Sequence, residues 1–454
     1  MNDASALPFL TEFDPPLRAE GSIDPLGLYP IADALGVRLA PGVRERQSRP
    51  RFLTVALAGM AACDDDLVAL GQAKGLPAWL VYEWLVVSAL VKEWQGTPQL
   101  TGIPGQEKVR TTLAAPNPDV VCERTYLKTP TVFGFHGIYR VLGVKAGLFD
   151  TDNRPLTPGF RVLEAWERDQ RLVGFMSGDG PGREFRQRLG HAVRRGIEAG
   201  HVTEPGPQLR EQIATHLNPH AAKGAEAQML WQGLMENDAM RREYAGLLAS
   251  EDGQAAWTST WGADGKTDGS AERLFHDWLR SAATKPMQQL VVTIQAFERL
   301  ARCLTDAWEE CLWQMTQARR AMTPGELAAG TAVKACARDG TALLINAARE
   351  LGEIDPALRT RVERSLSWLG ESAKPAAFAT NLLQHHIRIQ KAKPPGGKRP
   401  WFDLMNDGGT AVRPAYCRDK FEHHPDWYVH QYRTRPLWSF ALDLGRIPEN
   451  GEQG

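Results

Sequence analysis

The residues with the clearest chemical potential are basic and clustered. Arg38, Arg44, Arg46, Arg49 and Arg51 lie close together, with Glu45 as the only acid among them. A second group contains Arg183, Arg186, Arg188, Arg194 and Arg195, and a third contains Arg388, Lys391, Lys393, Lys398 and Arg399. Guanidinium forks bind phosphate oxygens in pairs, and grouped cations release counterions from a nucleic-acid backbone. Each cluster also has a plainer reading, as a solvated face or as the partner of the acidic segments 1–30 and 226–280. The late histidines His385, His386, His423, His424 and His430, with Cys417 nearby, are a second set, because neutral imidazole is a common metal ligand. Their spacing fits no standard zinc motif, and adjacent histidines point to different faces, so the expectation is no metal and no cofactor. The acid pairs Glu309-Glu310 and Asp64 to Asp66 read as a helix face and a helix cap.

Composition narrows the classes. With 53 Lys+Arg against 54 Asp+Glu in 454 residues, the chain is not a uniformly basic coat for nucleic acid. A hydrophobic share of 43% and a charged share of 24% are those of a folded globular protein. The length calls for several modules. Six cysteines form no CxxC pair and no closely spaced framework, which predicts a cytoplasmic protein without a disulfide scaffold. The start carries Asp3 and Pro8 and does not read as a signal peptide. The most apolar run, Trp79 to Val91, is shorter than the ~20 residues of a membrane span and contains Glu83, so it reads as a buried helix. No phosphate-binding loop, zinc-protease, serine-hydrolase or calcium-loop motif is present, and the expectation leans away from an enzyme.

The elements that position these residues are mainly helical. An acidic, Pro-rich arm precedes Asp24-Pro25, a cap and first-turn pair for a helix with Leu28, Ile31 and Leu35 on one face. Further helices are predicted from Phe52 to Cys63, after the caps at Asp64 to Asp66, and from Leu76 to Trp94. Residues 1–95 thus read as an arm and helical module, and 176–285 as a connecting helical region with a basic helix from Arg183 to Arg195. Ile294, Phe297, Leu300, Ala301, Leu304, Trp308, Cys311, Leu312 and Met315 form one stripe, which predicts a helix of more than six turns. Helices at Ala328 to Leu351, Pro356 to Leu369 and Lys374 to Lys391 complete a C-terminal bundle over 286–392. The aromatic and His-rich tail 393–454 reads as a hairpin from Trp401 to Pro414 and a closing helix from Pro436 to Leu444. Trp79, Trp84, Trp308, Trp313 and Trp368 are expected in the core.

Residues 96–175 carry the most specific pattern. Thr131 to Leu142 (TVFGFHGIYRVL) reads as a helix, followed by GVKAGLF, the turn DTDNRP, the fragment LT, and PGFRVLEAWERDQ from Pro158 to Gln170, whose apolar face is Phe160, Leu163 and Trp166. This order resembles the winged helix-turn-helix family of DNA-binding domains. The resemblance implies a wing hairpin opened by Leu148 and closed by Leu156, with Asp152, Asn153 and Arg154 at its tip. It also implies a recognition helix flanked by Arg124, Lys128, His136, Tyr139, Arg140 and Lys145, with Arg154 at phosphate or minor groove. Winged helices serve as protein-docking modules too.

At the level of layout, SIDPLGLYPIADALGVRLAPGVRERQSRPRF and KPPGGKRPWF resemble uncharacterised bacterial proteins encoded in anti-phage defence islands near helicases and phospholipase-D-like nucleases. That resemblance implies an accessory subunit and supplies no catalytic residues. The expectation is therefore a mainly α, multi-module protein with an embedded winged helix, acting as a non-catalytic DNA-binding or assembly subunit with helicase or nuclease partners. Its nucleic-acid contacts would be Arg44, Arg46, Arg49, Arg51, Lys128, His136, Tyr139, Arg140, Lys145, Arg154, Arg186, Arg194, Arg195, Lys398 and Arg399. The rivals are a metal-dependent nuclease using the late histidines with Asp403, Asp407 and Asp426, and a pure protein scaffold.

Overall fold

A computed structural model describes residues 24–114, 120–220, 222–262, 269–394, 396–406 and 408–448. Most of the acidic arm, and Asp407 with it, lies outside these residues. Among them the chain forms twenty α-helices and one two-stranded sheet. They sort into two compact units, one of residues 40–249 and 435–448, the other of 24–39 and 250–434. This division cuts across the sequential modules read from composition. The segment 1–95 contributes to both units, and so does 176–285.

The chain enters the second unit with α1 (Tyr29–Leu39). Asp24 does not cap this helix directly. Its carboxylate takes the backbone N–H groups of Leu28 and Tyr29 at 3.0 and 3.1 Å, and the helix starts one turn later than the Asp-Pro pair predicts.

The first unit is built around two helices that are apolar on every side, α2 (Phe52–Ala62) and, after α3 (Asp65–Lys74), α4 (Ala78–Glu93). A helix without a polar face must be covered all round. Short α5 (Gln106–Leu113), α6 (Pro130–Phe133), α7 (Phe135–Lys145), α8 (Thr157–Asp169), α9 (Pro181–Ala199) and α10 (Pro207–His216) follow, and α2 and α4 are covered between them by α5 and α7 to α10. α11 (Gly224–Glu236) packs on α8 and leads into α12 (Ala239–Ala249). Asp64 caps α3 through the Leu67 N–H at 2.9 Å, as its position predicts. No single described helix is long and apolar enough to cross a membrane.

In the second unit, α13 (Glu251–Thr258) and α14 (Ala271–Ala282) lead into α15 (Lys285–Ala318), a helix of 34 residues. The whole stripe from Ile294 to Met315 is buried, as its spacing predicts. After the single turn α16 (Pro324–Leu327), α17 (Thr331–Ile354) runs against α15, and α18 (Pro356–Leu366) and α19 (Pro375–Lys391) pack beside α17. β1 (Phe402–Leu404) and β2 (Thr410–Val412) pair antiparallel with Phe402 opposite Val412, which is the expected hairpin. α20 (Thr434–Asp443), which from residue 435 on belongs to the first unit, ends the helical order. Trp84, Trp308 and Trp368 are buried, whereas Trp79 and Trp313 are only half-buried. One expectation is overturned: Cys303 and Cys336 form a disulfide joining α15 to α17, with Cα atoms 5.6 Å apart. Their separation of 33 residues hid a pair that only the packing of two helices brings together.

Charge also works inside the first unit. Arg51, 3% exposed, places its Nε 2.8 Å and its Nη2 3.0 Å from the two carboxylate oxygens of Glu226, which is fully buried. The same guanidinium reaches the carbonyls of Asn218 and His216. Removing one member of such a pair leaves an uncompensated charge in the interior. Arg51→Ala is therefore expected to cost about 3–5 kcal/mol in chemical denaturation, and Arg51→Met with Glu226→Leu to cost less than the single change. A single-mutant loss within the ±0.5 kcal/mol typical of surface sites would contradict this role.

Candidate nucleic-acid interface

The winged-helix-like segment folds as helix, minimal hairpin, helix. Its first helix is shorter than the sequence predicts. Gly134 splits it into α6 and α7, because the carboxylate of Glu83 on α4 occupies the space above Gly134, where a Cβ would lie 1.9 Å from Oε1. Glu83 Oε2 accepts the His136 N–H at 2.8 Å, and Oε1 accepts the Tyr126 hydroxyl at 2.8 Å. α7 has no side-chain cap of its own. A buried carboxylate from another helix thus takes an N–H that its first turn leaves unpaired.

The hairpin after α7 is held by Asp150 N–H to the Arg154 carbonyl and Leu156 N–H to the Leu148 carbonyl, both 2.9 Å. Asp150 Oδ1 accepts from Asp152 and Arg154 N–H at 2.9 and 2.8 Å, and Asn153 takes a left-handed φ of 61° at the tip. No strand longer than the isolated Phe149–Pro155 bridge forms here. α8 then packs so closely on the arm that a Cβ at Gly159 would sit 2.1 Å from the Leu148 carbonyl oxygen. Leu163 and Trp166 are buried, but Phe160 is 42% exposed, contrary to its predicted place on the apolar face.

The predicted contact residues separate into two groups. His136 and Tyr139 are buried, and this corrects their reading as groove-facing side chains. The His136 ring stacks on Trp79 with centroids 4.5 Å apart, and burial, aided by the Arg140 charge, pushes its pKa down to about 3. It is therefore an uncharged ring. The Tyr139 hydroxyl accepts the Arg49 N–H at 2.7 Å. Arg140 clamps the hairpin, with Nε 3.2 Å from Asn153 Oδ1 and Nη2 on the Thr151 carbonyl. The first arginine cluster is internal wiring. Arg51 pairs with Glu226, Arg49 with Asp443 at 2.6 Å, Arg46 lies 4.7 Å over the Phe133 ring, and Arg44 is buried. In the second cluster Arg186 donates to the Met176 carbonyl at 2.8 Å.

The second group remains outward. Lys128, Lys145, Arg154 and Arg195 are exposed and Arg194 is half-buried, and none forms an ion pair with another described residue. Arg194 and Arg195 lie on α9, while Lys145 and Arg154 flank the hairpin, whose tip also carries Asp150 and Asp152. In the other unit, Lys398 is exposed and Arg399 lies 3.6 Å from Asp403 with its side chain 80% exposed.

The histidines and acids of the nuclease rival are dispersed. His385 and His386 contact the carbonyls of Leu26 and Pro25 at 2.8 and 2.9 Å, and His386 Nε2 accepts the Trp401 N–H. His423 meets Asp306, His424 meets Glu422, and His430 meets Glu298. Asp403 is held by Arg413, and Asp426 lies near Arg273. Among the described residues no group of three or more His, Cys, Asp or Glu is placed to share a metal ion. Compared with protein-family models, curated proteins and solved structures, the chain matches none.

Glu83, which positions the start of α7, gives the segment a pH signature. Burial pushes its carboxyl from the ordinary 4.5 up to about 7, against the lowering effect of the His136 and Tyr126 hydrogen bonds. Between these values the folded chain holds a proton that the unfolded chain has released. Stability therefore falls as pH rises through that window and levels off above it. Glu272 rises to about 7 as well, so a difference measurement isolates Glu83. Glu83→Gln is expected to flatten the decline between about pH 4.5 and 7 by up to one proton's worth of slope in denaturation profiles. An unchanged slope would show that Glu83 ionises alike in the folded and unfolded chains.

Proposed function

We propose that the chain is a non-catalytic DNA-binding or assembly subunit of a bacterial anti-phage defence system, holding duplex DNA by its phosphates with little sequence preference. The observation that carries this reading is on α9. Arg195 is exposed and Arg194 half-buried there, and neither has an ion-pair partner among the described residues, whereas the first arginine cluster is spent on carboxylates and a ring. Lys128, Lys145 and Arg154 add outward cations on the same unit. Phosphate contacts of this kind give affinity and orientation and carry no base code. The helix–hairpin–helix order from Phe135 to Asp169 supports a winged-helix-like module, in which buried His136 and Tyr139 support the helix and exposed residues make the contacts. The layout of the N-terminal and KPPGGKRPWF stretches supports the defence context, in which a helicase or a phospholipase-D-like nuclease would supply the chemistry.

In anisotropy titrations, binding of a labelled duplex is expected at low salt and is expected to weaken steeply as salt rises. Arg194→Ala with Arg195→Ala should reduce the log–log salt slope by about 1.8, the value for two phosphate contacts. Absence of binding at low salt would refute the DNA reading. Failure of the chain to co-purify with a helicase or nuclease encoded beside it would refute the assembly reading.

A further inference from the structure

The outward face of α8 and the hairpin arm before it carries a feature that duplex phosphate binding does not use. Leu156 is 41% exposed and Phe160 42% exposed, while Leu163 and Trp166 of the same helix are fully buried. The two lie one turn apart, linked by the Phe160 N–H to Leu156 carbonyl bond of 2.9 Å. Around them the face carries Arg154, two residues before Leu156, and Arg161 and Arg168 on the outward side of α8. All three are exposed, and none forms an ion pair with another described residue. Two acids share that helix face, exposed Glu164 and half-buried Glu167, whose carboxylate is held by the Gly174 and Met176 N–H groups. The hairpin tip beyond it holds Asp152 and Asp150, which lie near the Arg140 guanidinium.

Phe160 offers part of its ring to solvent, and Arg154 and Arg161 are exposed cations close to it along the chain. A duplex hides the faces of its bases and offers such a ring nothing to stack on. A single strand offers unstacked bases and phosphates together, and base–aromatic stacking contributes about 1–3 kcal/mol per base. Resting on the nucleic-acid reading above, we propose that this face is a second, single-strand site, in which a base stacks on Phe160 while Arg154 and Arg161 hold the flanking phosphates. The chain would then bind both a duplex and an unpaired strand, the two products present wherever a duplex is being opened. Such a site recognises the base and phosphate chemistry that DNA and RNA share, so the test separates the two.

The test uses the full chain and three labelled probes of about 30 nucleotides at low salt: oligo-dT, oligo-U and a mixed-sequence duplex. Phe160 is exposed, so its replacement should leave folding intact, and a thermal melt of each variant checks this. Phe160→Ala is expected to weaken oligo-dT or oligo-U binding about 5- to 150-fold, the range that 1–3 kcal/mol of stacking gives, and to change duplex binding less than twofold. Phe160→Trp should restore single-strand binding, and Arg161→Ala should weaken it with a shallower salt dependence. Whichever of DNA and RNA shows the larger Phe160 effect is the natural strand. Unchanged single-strand affinity in Phe160→Ala, with duplex binding intact, overturns this site and leaves the duplex reading standing; it would assign the exposed face to a protein partner. Equal losses on all three probes also overturn it, because stacking would not be the cause. If the unaltered chain binds no probe, the nucleic-acid reading itself falls.

Discussion

The structure depends on carboxylates that leave their own helix to meet the start of another. α7, α11 and α17 all begin without a side-chain cap from their own N-terminal residue. The exposed N–H groups are taken from elsewhere. Glu83 on α4 serves α7, Asp169 at the end of α8 accepts the Glu226 N–H in α11 at 2.7 Å, and Glu310 on α15 accepts the Thr331 and Val333 N–H groups of α17 at 2.9 and 3.0 Å. A local cap would settle each helix end independently. A cap brought from another helix settles the end and the packing together, so neither forms well alone. Glu226 extends the chain of dependence, since the residue capped by Asp169 in turn neutralises Arg51 at the entry to α2.

The same logic explains what the sequence could disclose. The α15 stripe, the Asp64 cap and the Trp401 to Pro414 hairpin were legible because their signals lie within one or two turns of the residues they organise. Arg51 was placed among the nucleic-acid contacts, yet its bond to Glu226, 175 positions away, matches the plainer reading in which the cluster pairs with the acidic segment 226–280. The break at Gly134 was not read from the sequence, since its cause is a side chain from α4. Phe160 sits at core spacing, yet α8 is rotated so that Gly159, Val162, Leu163 and Trp166 face inward, and spacing alone does not fix that rotation. For the interface, Arg194 and Arg195 were named from charge and are half-buried and exposed, whereas the residues named from the motif divide, with Lys145 and Arg154 exposed and His136 and Tyr139 buried.

The near balance of cations and anions takes on a different meaning once partners are known. A run of arginines in sequence suggests an external patch, but Arg38, Arg49 and Arg51 each reach a separate carboxylate far along the chain, at Asp355, Asp443 and Glu226. Clustering in sequence here marks a strand of chain that several distant segments must grip. What counts toward recognition is the remainder left after these internal pairs are removed. That remainder includes Arg154, Arg161, Arg168 and Arg195 in the first unit, and Arg299, Arg361, Arg364 and Arg388 in the second.

Neither compact unit is a continuous stretch of chain, and this bears on how the protein is made. Residues 40–249 leave the ribosome early, but Arg49 still lacks Asp443 and Trp231 still lacks Arg446, whose guanidinium sits 5.7 Å from its ring. The first unit must wait for nearly two hundred further residues before its last helix arrives. During that interval α2 and α4 can already be covered by α5 and α7 to α10, and what stays open is the place that α20 takes. The first unit can therefore pack most of its helices as it emerges, and its completion waits for the end of the chain.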